Sequence, residues 1–302
     1  MEEANRYPDD SDTELDRRKQ QLSNVITEVL RRHPMLSYFQ GFHDIVQVFL
    51  LVLGVNRASE AVAHLSLLRI RDFMLPSLSP SLAHLNLIPM ILDTADPDLC
   101  RHLSTTQPFF ALSATLTLYA HDIQEYGDIA RLFDFFIAQP AVVSVYFFAV
   151  IVLSRREELF NIPAEEPEML HSVLSKLPKP LNLEVLISRT MNLFKQHPPE
   201  HLPRRAWSKV SCYSVLKTTR SASRYQTLAD GEEFFSMQTL QIKREELRKR
   251  TMQRIWKYRR PMGGIGLAVA IGVASIWLRR NGVDRTLGFG VQKLYESIWA
   301  LM

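Results

Sequence analysis

Residues 261–278 read PMGGIGLAVAIGVASIWL, eighteen positions without a charge, bracketed by Arg259 and Arg260 before and by Arg279 and Arg280 after. A run of that length and apolarity has two stable homes, lipid hydrocarbon or the centre of a globular core. Eighteen residues is near the lower limit for crossing a bilayer, and a thin one such as that of the endoplasmic reticulum suits it. The basic flanks and the Gly and Ala content favour a transmembrane helix over a buried core helix. Gly264, Ala268 and Gly272 fall four apart on one face, a spacing that permits close helix pairing. Lys and Arg crowd residues 243–260, whereas only Arg279 and Arg280 follow the run at once. That asymmetry predicts a cytosolic location for everything N-terminal to the run. In the tail, 279–302, Val291, Leu294, Tyr295, Ile298, Trp299 and Leu301 approximate an apolar helix face, as expected of an amphipathic segment on the far interface or of a second shallow insertion. The start, MEEANRYPDDSDTELD, is acidic and polar, unlike a secretory or mitochondrial presequence.

Charge divides the chain the same way. Residues 1–200 hold 17 Lys and Arg against 25 Asp and Glu, a net of −8, and residues 201–260 hold 15 against 5, a net of +10. The overall +4 therefore describes neither part. A basic stretch next to an uncharged run implies attraction to anionic membrane lipid, worth about 1 kcal/mol per basic residue near the surface. Trp207, Tyr213, Tyr225, Trp256 and Tyr258 lie among these charges, but the neighbouring run argues for lipid and against nucleic acid as the partner. Cys100 and Cys212 form no CxxC or Cys/His pattern, which excludes a disulfide framework and a structural zinc site.

The acidic part reads as all-α. In Leu15–Arg32 the apolar residues Leu22, Val25, Ile26, Val29 and Leu30 recur at i, i+3, i+4, i+7 and i+8. His33 and Pro34 end that helix. The segment HDIVQVFLLVLG, apolar nearly all round, predicts a central helix closed by Gly54. Further helices are expected at 60–73, 82–94, 108–121, 127–138, 141–160, 168–175 and 183–196. AVVSVYFFAVIVL, residues 141–153, is β-branched and aromatic, but thirteen residues is long for a strand and short for a span, so it reads as a buried helix. The expected domains are a helical one over 1–197, a basic linker over 198–260 that is disordered in its first half and helical from about Gln238, the membrane helix 261–278 and the tail 279–302.

No GxxxxGK[ST], GxGxxG, HExxH or GxSxG occurs, and the nine histidines are scattered without ligand spacing. The chain is thus not expected to bind a nucleotide, a metal or a cofactor of its own. What remains is the loop in RRHPMLSYFQGFHDIVQVF. Taken singly, its residues describe a polar turn, a capping glycine and a buried aspartate. As a unit the string resembles the Tyr-x-Gln motif of the TBC-domain GTPase-activating proteins for Rab small GTPases, with Tyr38, Gln40, Gly41 and Asp44 matching. LRIRDFMLPSL at 68–78 and RLFDFFIAQP at 131–140 also look like family elements, the latter with Phe133 where the family usually has Trp. The resemblance extends over about residues 5–197.

The resemblance implies an activator that completes the active site of a Rab of the early secretory, ER-to-Golgi route, with the GTP and magnesium bound by that partner. Gln40 would orient the attacking water and an arginine finger would neutralise charge on the transferred phosphoryl group. Tyr38 and Asp44 would support it, and Gly41 would permit the tight turn. The family's arginine belongs to an Ile-x-x-Asp-x-x-Arg string, and no arginine finger is identified in this sequence. Alignment on Arg6-Tyr7-Pro8 places it at or before Met1, and Arg6, Arg17 and Arg18 lack Ile and Asp at the required offsets. Such a finger is worth about 10³–10⁵ in rate. The alternative expectation is a noncatalytic Rab-binding or ER membrane protein that keeps the fold.

Overall fold

The computed structural model describes residues 12–220 and 225–280. The described residues contain helices and turns and no strand. In chain order the first helices are α1 (Asp12–Arg32), α2 (Phe42–Leu53), α3 (Val55–Leu68), α4 (Ser79–Leu85), α5 (Leu87–Ala95), α6 (Pro97–His102) and α7 (Leu112–Leu116). They are followed by α8 (Tyr126–Ala138), α9 (Val143–Ser154), α10 (Arg156–Phe160), α11 (Pro167–Leu174) and α12 (Leu183–Gln196). Two short helices, α13 (Ala206–Lys209) and α14 (Val215–Thr218), precede the long α15 (Leu228–Arg280).

The chain divides into two compact units, 1–241 and 242–302. In the first, α9 is the axis: every residue from Val143 to Val152 is buried, and α5 and α12 pack against it. Burial on all sides explains the missing polar face in this segment and confirms the helical reading of its β-branched residues. α2 packs against α1 and α3, but only its first half is central. Leu51, Val52 and Leu53 are exposed, so the apolar run there overstates burial. The helix expected over 82–94 is broken at Asn86, and that over 141–160 at Arg155.

The expected disordered linker is instead part of the first unit up to Gln241. Leu202, Ala206, Val210, Val215, Leu216 and Phe235 are buried. They are too widely spaced in sequence to show a period, yet each fills a gap on the helical body. The polar residues among them satisfy a charged centre in the turn Arg71–Phe73. Arg71 and Asp72 are both fully buried. Asp72 Oδ2 accepts from His84 Nε2 at 2.8 Å and from the Ser214 hydroxyl, and Oδ1 accepts from Val215 N at 3.2 Å and Gln238 Nε2 at 3.1 Å. Arg71 donates to the carbonyls of Leu67 and Tyr213 and to the Thr218 hydroxyl. Burying these charges is tolerable because the Asp72 carboxylate accepts four hydrogen bonds and Arg71 donates three, leaving Arg71 Nε without a partner among the described residues.

In the second unit the described residues continue α15 to Arg280, and residues 261–278 are helical throughout. The side chains of Val269, Ile271, Val273, Ile276 and Trp277 are exposed. Among the described residues no helix is long and apolar enough to cross a membrane. The expected span at 261–278 is therefore not reproduced as a separate apolar helix; the run is the end of one helix with a highly charged preceding stretch. The tail, 281–302, lies outside the described residues, as does Arg6.

Candidate functional site

α1 ends at Arg32, and the chain then runs through an open loop to the first turn of α2. The loop is held along its length. His33 is buried; the amide of Ser37 donates to the Met74 carbonyl at 2.8 Å; the Phe39 ring lies 6.1 Å from Phe73 and 5.6 Å from Phe42. Gly41 caps α2 with φ 98°, a left-handed conformation open to glycine and costly for other residues. A Cβ there would also stand 2.5 Å from Thr117 Cγ2. The glycine thus does two things: it turns the chain and lets the loop close onto residue 117. Gln40, immediately before it, is exposed, and its side-chain amide makes no hydrogen bond among the described residues.

Around that turn lies a polar ring. The Tyr38 hydroxyl is 3.0 Å from His43 Nδ1, His43 Nε2 is 3.8 Å from Asp44 Oδ1, and His121 Nδ1 is 3.1 Å from Asp44 Oδ2. Burial, with a smaller contribution from the Asp44 carboxylate, pushes the Tyr38 phenol above its ordinary value, so it remains a neutral donor. The two ring nitrogens of His43 thus face different partners, Nδ1 the Tyr38 hydroxyl and Nε2 the Asp44 carboxylate. Asp44 is buried in the first turn of α2, where the helix N-terminus also favours its negative charge. The neighbouring Asp122 carboxyl is pushed up by burial, against the opposing pull of His121 and Ser113.

Sequence spacing did not single out His43, Thr117 or His121. The last two are delivered by a tight turn in which Leu118 and Tyr119 have φ of 50° and 68°. Two successive non-glycine residues in that region are strained. The anchor is Tyr119: its fully buried ring lies 5.5 Å from Phe136 and 5.1 Å from Phe147, and its hydroxyl donates to the Ser144 carbonyl at 2.9 Å. The strained pair is what replaces the helix expected through residue 121. The nearest sequence signal was the Tyr-Ala-His string after an apolar run, which has no distinctive period.

Of the tyrosine, glutamine, glycine and aspartate singled out in the sequence, the structure brings all four to one turn. Arg17 and Arg18 border a groove of about 250 Å³ with Gln47, Leu50, Leu51 and Gly54, at the C-terminal end of α2. Gln40 precedes its N-terminal end. At about 1.5 Å rise per residue, the helix separates the two by roughly 15 Å. Both arginines also pair with Glu14, at 2.6 and 3.5 Å.

Gly41→Ala is expected to destabilise the domain by about 1–3 kcal/mol, from the unfavourable φ and the Thr117 contact together. Thermal unfolding checks this. The double variant Gly41→Ala, Thr117→Ser removes the overlapping methyl and should recover only part of the loss, because the backbone strain remains.

The sequence profile of the Rab-GTPase-TBC domain matches residues 4–160. TBC1 domain family member 20 of Bos taurus is 34% identical over 282 residues, 91% of this chain and 69% of that protein. The Homo sapiens protein of the same name is 33% identical over the same length and shares. GTPase-activating protein gyp10 of Schizosaccharomyces pombe is 32% identical over 267 residues, 87% of this chain and 71% of the relative. With a helical body, an ordered Tyr-x-Gln-Gly turn and relatives of this similarity over most of its length, the chain belongs to the Rab-GTPase-TBC domain family.

Proposed function

We propose that the chain is a GTPase activator that binds a Rab small GTPase and inserts Gln40 into the partner's nucleotide site. The observation that carries this is the presentation of Gln40. A side chain with no hydrogen bond among the described residues is exposed on a turn that a glycine, a buried aspartate and two aromatic contacts hold fixed. A fixed turn of that kind presents the amide to a partner with its backbone already ordered, so that only the side-chain rotamers remain to be fixed when it orients the attacking water. Tyr38, Gly41 and Asp44 support the turn. The GTP and magnesium belong to the partner, and this chain supplies no cofactor. The name of the Schizosaccharomyces pombe relative, a GTPase-activating protein, supports the same activity.

Single-turnover hydrolysis of GTP by a panel of Rabs, with and without the chain, is the test. Acceleration of a Rab of the early secretory route is expected, and no acceleration of any Rab would overturn the reading. The alternative is a noncatalytic Rab-binding protein that keeps the fold. It predicts Rab binding at unchanged hydrolysis.

We further infer attachment to the ER membrane through residues 261–278, supported by their lack of charge, the exposed Val269, Val273, Ile276 and Trp277, and the basic stretch before them. Deleting residues 261–302 is expected to move the protein from floating vesicles to the soluble fraction in a density gradient. Unchanged flotation would remove the anchor from this segment.

A further inference from the structure

The loop bearing Gln40 rests on two supports, and both are held from the far end of the chain. The first is His33, where the loop leaves α1. Its imidazole Nδ1 donates to Glu232 Oε1 at 2.9 Å, a contact between residues 199 apart. The second is the turn 71–74, which receives the Ser37 amide on Met74 O and the Phe39 ring on Phe73. Its underside is Asp72, which accepts from Gln238 at 3.1 Å. Glu232 and Gln238 lie on the first turns of α15, the helix that runs on to Arg280.

That helix is docked closely. Gly231, Phe235 and Gln238 are buried at i, i+4 and i+7, one face of the helix. A Cβ on Gly231 would stand 2.8 Å from Leu67 Cβ, and Arg71 lies over the Phe234 ring at 5.0 Å. Apolar side chains would suffice for docking alone. Instead the face carries Gln238, whose buried Oε1 has no hydrogen-bond partner among the described residues. An orphaned buried carbonyl costs stability. The glutamine puts one donor on the Asp72 carboxylate, which an apolar side chain at that position could not do.

We propose that Glu232 and Gln238 are positioning residues for Gln40, holding through His33 and Asp72 the two supports of the 34–41 loop. The proposal rests on the reading of Gln40 as the residue presented to a GTPase. It makes the start of α15 a working part of the site, although it follows Gln40 by about 190 positions and lies beyond the matched family profile.

The test uses hydrogen–deuterium exchange on the full chain, which needs no partner. Glu232→Ala is the primary variant, because the Glu232 side chain is 41% exposed and its loss leaves the core intact. Faster exchange in residues 34–44 is expected, by about fivefold, the size of one net hydrogen bond, with α8 and α9 unchanged. Glu232→Gln, which keeps an acceptor for His33, should restore the slow exchange. Gln238→Leu should act like Glu232→Ala. Unchanged exchange in 34–44, or a rise spread evenly over the domain, overturns the proposal. With a GTP-loaded Rab that the wild-type chain stimulates, both variants should lower kcat several-fold at unchanged KM, and an unchanged kcat also overturns it. If no Rab responds to the wild-type chain, the activator reading fails and the exchange result still stands or falls alone.

Discussion

Gln40→Ala is expected to lower stimulated GTP hydrolysis by about 10²–10³, the effect of removing one group aimed at a reacting centre. The loss should appear in kcat, since the amide acts on the attacking water and contributes little to docking. Stability should not change, because the side chain is exposed and makes no hydrogen bond among the described residues. That separation sets Gln40 apart from its neighbours: replacing Gly41 or Asp44 would disturb the turn and the rate together. The measurement is single-turnover hydrolysis at saturating activator, beside a thermal melt. An unaltered rate would take Gln40 out of the mechanism, and a lowered melting temperature would make it part of the scaffold.

Asp72→Ala is expected to be strongly destabilising, at about 3–5 kcal/mol, because it strands Arg71 without a counter-charge and orphans donors on His84, Ser214 and Gln238. For a unit of this size that corresponds to a fall in Tm of about 6–20 °C. The damage should reach residues 202–241, which are joined to the body through this carboxylate, and limited proteolysis should cut there first. Acid tests the same centre. Burial alone would raise the Asp72 carboxyl, but His84, Arg71 and the Ser214 hydroxyl outweigh it and hold it below the usual carboxylate range. A depressed folded value means stability that is complete above the unfolded value, about 4, and lost as pH falls below it. Asp72→Asn should therefore flatten the acid limb of stability against pH. An acid limb identical to that of the wild type would assign the loss to other carboxylates.

The helical class, the buried α9 and the Tyr-x-Gln-Gly turn were all legible in the amino-acid order. Each is a local property. A period of 3.6 or its absence reports one helix's surroundings, and a glycine between a polar residue and an apolar run reports one dihedral angle. Phe42 to Leu53 shows the limit of such reading, since the same apolar run is buried at its start and exposed at its end.

Tertiary structure decided the rest. Which histidines matter depends on His121 meeting Asp44 across 77 positions, and whether residues 198–241 are linker or domain depends on Asp72 meeting Ser214 and Gln238 across 142 and 166. Where Arg17 and Arg18 point depends on which end of α2 lies beside α1. None of these leaves a local pattern, because the partner of a buried charge is chosen by desolvation. A carboxylate taken out of water is stabilised by whichever donors the fold brings to it, however far along the chain they were made.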